Sequence, residues 1–364
     1  MSADMDSKPG SMQHSEWESD MTKIMVSRET NRPRMSVIVC TLNRAHVLET
    51  VCLASLAVQE LPGGVELIVC DASPDAATQE VALRWADARP DWSCTYIRAT
   101  KGGLCGQRNQ AIHVSRGDVV LFLDDDLELL PGALVSLMQA FSSDLNRQYG
   151  GFECTRVSPV SVERSEPAVA RRTHAWFASL WGLGTSSGPK RILSTGFNAG
   201  GAPLDREVAS ALPHEECHVT DVAWLSGCCM AFRASMFRNG SICFDERLAR
   251  FGGYCLAEDI AVSLAVRRTV GLRLGQCSPA QATHWEAPGG RGDDRSRWAA
   301  KAYNHRIVWT LSGNPTLAHR FNWLRGQIGM TVQCLRHGQI ARLRGLVDGW
   351  RAIRLDKTLG HQPR

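Results

Sequence analysis

Short apolar runs alternate with helical patterns over the first third of the chain. β-Branched apolar runs predict strands at 36–40, 65–70, 93–98 and 119–123. Helical spacing predicts helices over 76–88 and 107–115. A further helical pattern follows the first strand, and its apolar residues on one face are Val47, Val51, Ala54 and Val58. Strands that alternate with helices are typical of an α/β fold with a parallel sheet covered on both faces.

The pattern weakens beyond residue 154. Residues 155–218 mix Pro, Gly, Ser and Arg without a clear period, and strand-like runs return at 222–224 and 229–232. A helix is predicted from about 257 to 269, and after residue 300 the chain has helical spacing almost to its end. Residues 1–34 are polar and lack a period, so they are predicted to form a flexible tail.

Composition narrows the class of protein. The chain has 364 residues, of which 44% are hydrophobic and 21% charged, so it is globular rather than disordered or fibrous. A net charge of +4 is too small to indicate nucleic-acid binding, and no nucleic acid is expected as a partner. The 13 cysteines contain no CxxC pair, which favours a reducing, cytoplasmic location. Since no apolar run is long enough, no spanning helix is expected.

Polar residues follow the predicted strands. The carboxyl ends of parallel strands share one sheet edge, so chemistry is expected there. The polar positions at these ends are Thr41, Asn43 and Arg44, then Asp71, then the turn before Arg108, then Asp124, Asp125 and Asp126.

The three consecutive aspartates are the strongest local signal. Like charges about 4 Å apart repel by roughly 4 kcal/mol at an effective dielectric of 20. A bridging cation removes that repulsion, and oxygen ligands at a strand end suit Mg²⁺ or Mn²⁺ carrying a diphosphate. The alternative is a solvated acidic turn that caps a helix beginning near Pro131.

Three further motifs are weaker when each is taken alone. Gly102–Gly106 precedes a helix, so its backbone is suited to approach a phosphate, although an ordinary βα turn has the same pattern. Glu258 and Asp259 lie in the first turn of a predicted helix, as a general base or as ordinary N-terminal acids. His284 follows a predicted strand at 272–276 and a Pro-containing loop, where a structural role is the alternative to metal binding.

The order of these motifs resembles the family 2 glycosyltransferases, which have the GT-A fold. The resemblance covers roughly residues 35–290. It rests on the successive segments VIVCTLNR, IVCDASPD, GGLCGQRNQA, LFLDDDLELLPG, WLSGCCMAFR and AEDIAVSLAVRR, followed by a late histidine. The implied fold is a Rossmann-like, mostly parallel sheet flanked by helices, with a C-terminal helical extension.

The resemblance implies roles for individual residues. The predicted substrate contacts are Thr41, Asn43 and Arg44 at the nucleotide, Asp71 at the nucleobase, Gly103 and Arg108 at the diphosphate, and Asp124 and Asp125 beside the donor. Apart from the resemblance, the stacking of tryptophan rings on sugars makes Trp224 a predicted contact on the acceptor side. The predicted metal ligands are Asp126, Asp124 and His284. The predicted catalytic base is Asp259, with Glu258 as the second candidate. One departure is that a single acid ends the second strand, where many members have two, which leaves the nucleotide open.

The expected activity is a metal-dependent, inverting transfer from a nucleotide-sugar to an acceptor hydroxyl, with Mg²⁺ or Mn²⁺ as cofactor. The acceptor is a glycan, a lipid-linked glycan or a small molecule. The expected halves are 35–154 for the nucleotide-sugar and 155–299 for the acceptor. The alternatives are a sugar nucleotidyltransferase, against which the glycine-free Thr41–Arg44 segment speaks, and a catalytically silent nucleotide-sugar-binding protein.

Residues 300–364 are predicted to form a basic helical extension. From residue 314 onward there are nine Arg or Lys and two Asp. Apolar residues recur at helical spacing, at 317, 321, 324, 328, 332 and 335 and again at 340, 343, 346, 350 and 353. A basic amphipathic helix is typical of contact with an anionic membrane, here through 314–358. The alternative is that the apolar faces pack on the catalytic domain, and a homodimer is also left open.

Overall fold

The computed structural model describes residues 23–26, 33–157, 168–185, 188–201, 210–211, 218–287, 292–312 and 316–360. The strands are β1 (Lys23–Val26), β2 (Met35–Thr41), β3 (Val65–Asp71), β4 (Ser93–Arg98), β5 (Val119–Asp124), β6 (Leu127–Leu129), β7 (Tyr149–Val157), β8 (Arg191–Ile192), β9 (Asn198–Ala199), β10 (Ser210–Ala211), β11 (His218–Val222), β12 (Cys229–Arg233) and β13 (Arg273–His284). The helices are α1 (Ala45–Val47), α2 (Ala54–Ala57), α3 (Ala77–Ala88), α4 (Leu104–Val114), α5 (Ala133–Ser143), α6 (Ala168–Trp181), α7 (Ser235–Arg238), α8 (Glu258–Ala265), α9 (Asp294–Leu311), α10 (Leu317–Arg336) and α11 (Ile340–Leu355).

Within the described residues, 11 of the strands form one sheet, and β8 and β9 form a separate pair. The order in the sheet is β1-β4-β3-β2-β5-β12-β7-β13-β11-β10, and β6 pairs with β13. The block β4-β3-β2-β5 is parallel, as is the pair β7 and β13, while β12 joins the two blocks in antiparallel fashion. The predicted α/β fold with a helical C-terminal extension is confirmed.

Alternation along the parallel strands buries side chains on both faces of the sheet. Val37 and Val39 belong to one core cluster, which contains side chains of α3 and α5. Ile38 belongs to the second cluster, which contains side chains of α4, α8 and α9. Burial on both faces explains why these strands are continuously apolar and were recognisable in the sequence.

Three local expectations are corrected. Residues 23–26 form β1, which pairs with β4, so the flexible-tail prediction is wrong for them, and most of 1–34 lies outside the described residues. Val58 is exposed, and the face that packs inward after β2 is the adjacent one with Leu48 and Leu56, because π-helical Leu48–Leu53 rotates the pattern. The last strand continues to His284, since a register shift accommodates the Pro279 segment that was expected to be a loop.

The C-terminal helices pack on the rest of the chain. Gly345 and Gly349 of α11 allow the close approach to α9, because a Cβ at these positions would lie 2.2 Å and 2.6 Å from backbone oxygens of Arg295 and Ala299. Met330, Cys334 and Leu346 share a core cluster with Phe197 and Trp298. The packing alternative for the tail is therefore correct for α11 and for one face of α10. Among the described residues, none of the helices has the length and apolar character needed to span a bilayer.

Candidate active site

The carboxyl ends of the parallel strands form one edge of the sheet. Thr41 at the end of β2 pairs with Asp71 at the end of β3, and Cys40 pairs with Asp124 at the end of β5. The end of β13 reaches the same place, because His284 pairs with Leu127 directly after the aspartates. The sheet thus brings together groups that lie 158 positions apart in sequence.

Asp124, Asp126 and His284 form a cluster with potential metal ligands. One ligand atom from each lies within 4.8 Å of the others, and His284 Nε2 is 3.0 Å from Asp126 Oδ1. Adjacent ligands each about 2.1 Å from an octahedral ion are about 3.0 Å apart, so this spacing fits a shared divalent ion. Carboxylates are preferred by Mg²⁺ and Mn²⁺, and a single imidazole is compatible with this oxygen-rich set. The residues therefore fit the expected cation.

Arg44 neutralises part of the aspartate cluster from inside the protein. Its guanidinium lies 2.9 Å from Asp125 and 2.6 Å from Asp126, and Thr41 Oγ1 donates a 2.6 Å hydrogen bond to Asp125. Burial raises the pKa of Asp125 to about 6, although these contacts oppose the rise. The sequence predicts Arg44 beside a nucleotide and does not predict this pairing with the aspartates. Its signal in the sequence is weak, because it consists only of one cation and three acids at the ends of predicted strands.

The two ends of the metal cluster influence each other's protonation. Burial by itself would raise the pKa of Asp126, but hydrogen bonds with His284 and Arg44 lower it to about 2. The bond to Asp126 raises the pKa of His284, against burial. Asp126 is thus held as a carboxylate, the form that binds a cation.

Arg108 is buried in the middle of the site rather than at its surface. Its guanidinium is 2.9 Å from Glu258 and 3.7 Å from Asp124, and it donates a 3.0 Å hydrogen bond to the Gly227 carbonyl. The side chain is 2% exposed, and its guanidinium carbon lies 5.6 Å and 5.2 Å from the ring centres of Phe122 and Phe244. This placement favours a role in positioning Asp124 and Glu258, and contact with the diphosphate stays a prediction.

Of the two acids that begin α8, Asp259 has the freer carboxylate. Glu258 is buried against Arg108, and burial raises its pKa. Asp259 is half-buried and accepts hydrogen bonds from the Gly227 N–H at 3.2 Å and the Ile260 N–H at 2.8 Å. Burial also raises the pKa of Asp259, and the two N–H groups oppose the rise. The arrangement fits Asp259 as the general base and a structural role for Glu258.

A buried ion pair between Lys190 and Glu153 supports the 226–227 segment, and the sequence analysis missed it. Both side chains are 1% exposed. Glu153 accepts a 2.6 Å hydrogen bond from the Ser226 N–H, and Lys190 Nζ lies 4.4 Å from the centre of the Trp224 ring. A lysine within an irregular stretch gave no signal, because its partner on β7 is identifiable only in three dimensions.

A cavity of about 850 Å³ opens beside the aspartates. Its wall contains Thr41, Arg44, Asp124 and Asp125 at the sheet edge, and it extends to residues of α9 and α11. A volume of this size suits a small-molecule or cofactor ligand. Among the described residues, Asp126, His284 and Asp259 are not part of the wall.

The other predicted contacts take varied positions. Asp71 is fully buried and accepts hydrogen bonds from the Ser73 N–H and the Tyr96 hydroxyl. Asn43 is exposed, with a φ of 55°. Gly103 precedes α4 with a φ of 85°, which favours glycine. Trp224 is only 6% exposed, so it is not available as an exposed stacking surface for an acceptor.

Comparison with known proteins gives a partial match in sequence. The model of the family described as "Glycosyl transferase family 2" matches residues 36–167. A Campylobacter jejuni protein named GalNAc(5)-diNAcBac-PP-undecaprenol beta-1,3-glucosyltransferase is 35% identical over 135 residues. That match covers 36% of this chain and 42% of the relative, so the chain spans less than half the length of the relative.

Solved structures resemble the chain over most of its length but at low similarity. The mannosyltransferase PcManGT from Pyrobaculum calidifontis, in complex with GDP-Man and Mn²⁺, is 19% identical with a TM-score of 0.44, covering 95% of this chain and 87% of that one. S. aureus TarS 1–349 is 16% identical with a TM-score of 0.43, covering 87% and 91%. Over residues 36–167, the sequence of the chain is therefore similar to glycosyl transferase family 2.

Proposed function

We propose that this protein is a metal-dependent, inverting glycosyltransferase that moves a sugar from a nucleotide-sugar to an acceptor hydroxyl. The observation that carries the proposal is the convergence of Asp124, Asp126 and His284 beside a cavity of about 850 Å³. The family match supports the reaction class. In this proposal residues 35–154 bind the donor, and residues 155–299 contribute to the acceptor side.

The donor diphosphate would lie at the sheet edge, next to the three residues that would hold a divalent ion. Bound there, Mg²⁺ or Mn²⁺ would supply positive charge for the diphosphate leaving group. Arg44 orients Asp125 and Asp126 and favours their ionised forms, and the Arg108 guanidinium lies 3.7 Å from Asp124. These contacts prepare the carboxylates before substrate arrives, which is the condition for efficient electrostatic stabilisation.

Asp259 would accept the proton from the attacking acceptor hydroxyl. Its carboxylate accepts hydrogen bonds from two backbone N–H groups, which fix its orientation, and burial raises its pKa although these N–H groups, Lys190 and Arg108 oppose the rise. Glu258 is occupied by Arg108 and cannot turn toward an acceptor without breaking a buried ion pair. A single displacement assisted by one base inverts the anomeric carbon.

The test measures release of nucleoside diphosphate from a panel of UDP-, GDP- and dTDP-sugars with Mn²⁺, with and without acceptor. D259N should lose transfer by about 100-fold or more while donor binding stays near wild type, since general-base catalysis contributes roughly 10²–10⁴-fold. D87N is the matched control, because Asp87 is exposed on α3. Full activity of D259N would remove Asp259 from this role, and turnover undiminished by EDTA would exclude the metal.

The same assay distinguishes the alternatives. A sugar nucleotidyltransferase would form pyrophosphate from a nucleoside triphosphate and a sugar phosphate, and it would release no diphosphate from donors. A silent binding protein would give thermal shifts with donors but no release under any condition. Either result would refute the transferase proposal.

A lipid-linked glycan is the acceptor class that we propose, because the Campylobacter jejuni relative is named for such a substrate. The exposed face of α10 supports a peripheral position at the inner face of a membrane. Leu317, Phe321, Leu324, Ile328 and Leu335 are exposed along one side of the helix. The α10 segment contains arginines but no Asp or Glu. An anionic bilayer complements this face, whereas a second copy would oppose cation to cation.

Flotation with liposomes tests this surface. Wild-type protein should float with vesicles containing anionic lipid and much less with neutral vesicles. F321S/L324S should abolish flotation, while L145S, which changes an exposed leucine outside α10, should not. Equal flotation of F321S/L324S and wild type would refute the proposal that this face of α10 binds the membrane. A concentration-dependent dimer lost in F321S/L324S would assign the face to self-association instead.

A further inference from the structure

One side of α9 forms one end of the cavity wall. The residue types at this end differ from those at the sheet edge. The polar and aromatic α9 residues in the wall are Asp294, Arg297, Trp298, Lys301 and His305, spaced as one helical stripe, and the wall also contains Arg342 of α11. This end is basic, whereas the sheet edge contributes Asp124 and Asp125 to the same cavity. The cavity therefore has two chemically distinct ends.

The cations at this end outnumber the acids. Asp294 is shared between Arg342, at 3.0 Å, and Arg297, at 3.7 Å. Lys301 makes no ion pair or hydrogen bond with any residue that the structure describes. Its Nζ lies 4.9 Å from the centre of the Trp298 ring and 5.7 Å from that of Phe197. Burial and the neighbouring arginines lower the pKa of Lys301, so an anion placed there would relieve an unfavourable charge.

His305 adds a second unsatisfied group to the same wall. Its side chain is 5% exposed, and its Nδ1 has no hydrogen-bond partner within the described ranges. Burial lowers the pKa of His305 to about 3, with Lys301 adding to the effect, so the imidazole is neutral. A buried polar atom without a partner costs free energy unless a ligand or water satisfies it. A ligand with oxygen acceptors would engage Lys301 and a neutral His305 donor together.

We propose that the end formed by Arg297, Lys301, His305 and Arg342 binds a phosphate-type anion of the acceptor. This proposal rests on the proposed function, because it assigns the acid end of the cavity to the donor. The donor diphosphate would lie at the cation held by Asp124, Asp126 and His284. The basic end then receives the phosphate of a phosphorylated acceptor, with the two substrates meeting between them. In this proposal, residues of the C-terminal extension contribute to the selection of the acceptor.

Binding of inorganic pyrophosphate in EDTA, measured by calorimetry, tests the site without a metal and without catalysis. Wild type should bind, and K301M should bind at least about tenfold more weakly, because charge-assisted hydrogen bonds are among the stronger polar contacts. Methionine keeps the aliphatic stem against Trp298 and Phe197, so folding should be preserved, and an unchanged melting temperature checks this. K357M is the matched control, since Lys357 is exposed and lies outside the cavity wall.

Steady-state kinetics separates the acceptor from the donor as the source of the anion. K301M should raise KM for a phosphorylated acceptor about tenfold or more and leave donor KM unchanged. Equal pyrophosphate affinity in K301M and wild type overturns the site, and a rise in donor KM in place of acceptor KM overturns the assignment to the acceptor. Pyrophosphate binding that depends on Lys301 supports the site even if no sugar transfer is found, so the two proposals fail separately.

Discussion

Replacing Lys190 with methionine removes the cation paired with Glu153 while keeping a side chain of similar length under Trp224. Both partners are 1% exposed, so water cannot reach the remaining carboxylate. Glu153 would retain two hydrogen bonds, from the Ser226 N–H at 2.6 Å and from Gln276 Nε2 at 3.0 Å. The substitution therefore leaves the Glu153 carboxylate buried, with two hydrogen bonds but without a counter-charge.

Breaking a buried ion pair on one side costs about 3–5 kcal/mol. The two hydrogen bonds that remain place K190M near the lower end, at about 3 kcal/mol. Changing both partners, as K190M/E153Q, removes the buried charge and keeps a side-chain oxygen for Ser226. The double variant should therefore be about 2 kcal/mol more stable than K190M, although it carries one more substitution.

Urea unfolding followed by tryptophan fluorescence measures these differences, with K357M as a surface control expected within about 0.5 kcal/mol of wild type. Activity gives a second readout. Ser226 precedes Gly227, whose N–H binds Asp259, so loss of the ion pair should lower kcat more than it raises donor KM. A K190M protein within 1 kcal/mol of wild type, or a double variant less stable than K190M, would refute the reasoning.

Three further outcomes follow from the site. Asp126 has a pKa of about 2 against about 3.9 when unfolded, so the metal-free protein should lose about 2 kcal/mol of stability as pH falls from 5 to 2, and D126N should flatten that part of an acid-unfolding profile. G103A should cost about 1–2 kcal/mol in urea unfolding, because φ is 85° and the new Cβ would lie 3.0 Å from Ala249, whereas G102A, with open space around it, should be near neutral. R108M should unfold about 3 kcal/mol more easily, since it leaves Glu258 buried without its cation, and an unchanged urea midpoint would contradict that ion pair.

The sequence alone determined the elements whose burial is uniform. The strands β2, β3 and β5 are buried on both faces, so their apolar runs were visible without knowledge of their neighbours. The grouping of the polar residues at the strand ends was predictable as well, because parallel strands end at a common edge of the sheet. The order of motifs then indicated the family, and the match over 36–167 agrees with it.

The tertiary structure decided which of two adjacent apolar stripes is buried. After β2 the helical spacing predicted the stripe with Val47 and Val58, whereas the π-helical turn and the position of the sheet bury the adjacent stripe with Leu48 and Leu56. In the C-terminal extension, α10 and α11 have similar patterns in sequence. Leu346 of α11 packs inward, whereas the apolar face of α10 with Phe321 remains exposed. Periodicity describes one helix at a time and holds no information about which neighbour it meets.

The structure also decided the partners of charged residues. The sequence placed Arg44 and Arg108 beside a ligand, but their strongest contacts are with Asp126 and Glu258 of the protein itself. Lys190 was not singled out, although its buried ion pair supports the segment that holds the proposed base. These three ion pairs join residues that are distant in sequence, and their energies depend on distances and burial that exist only after the chain has folded.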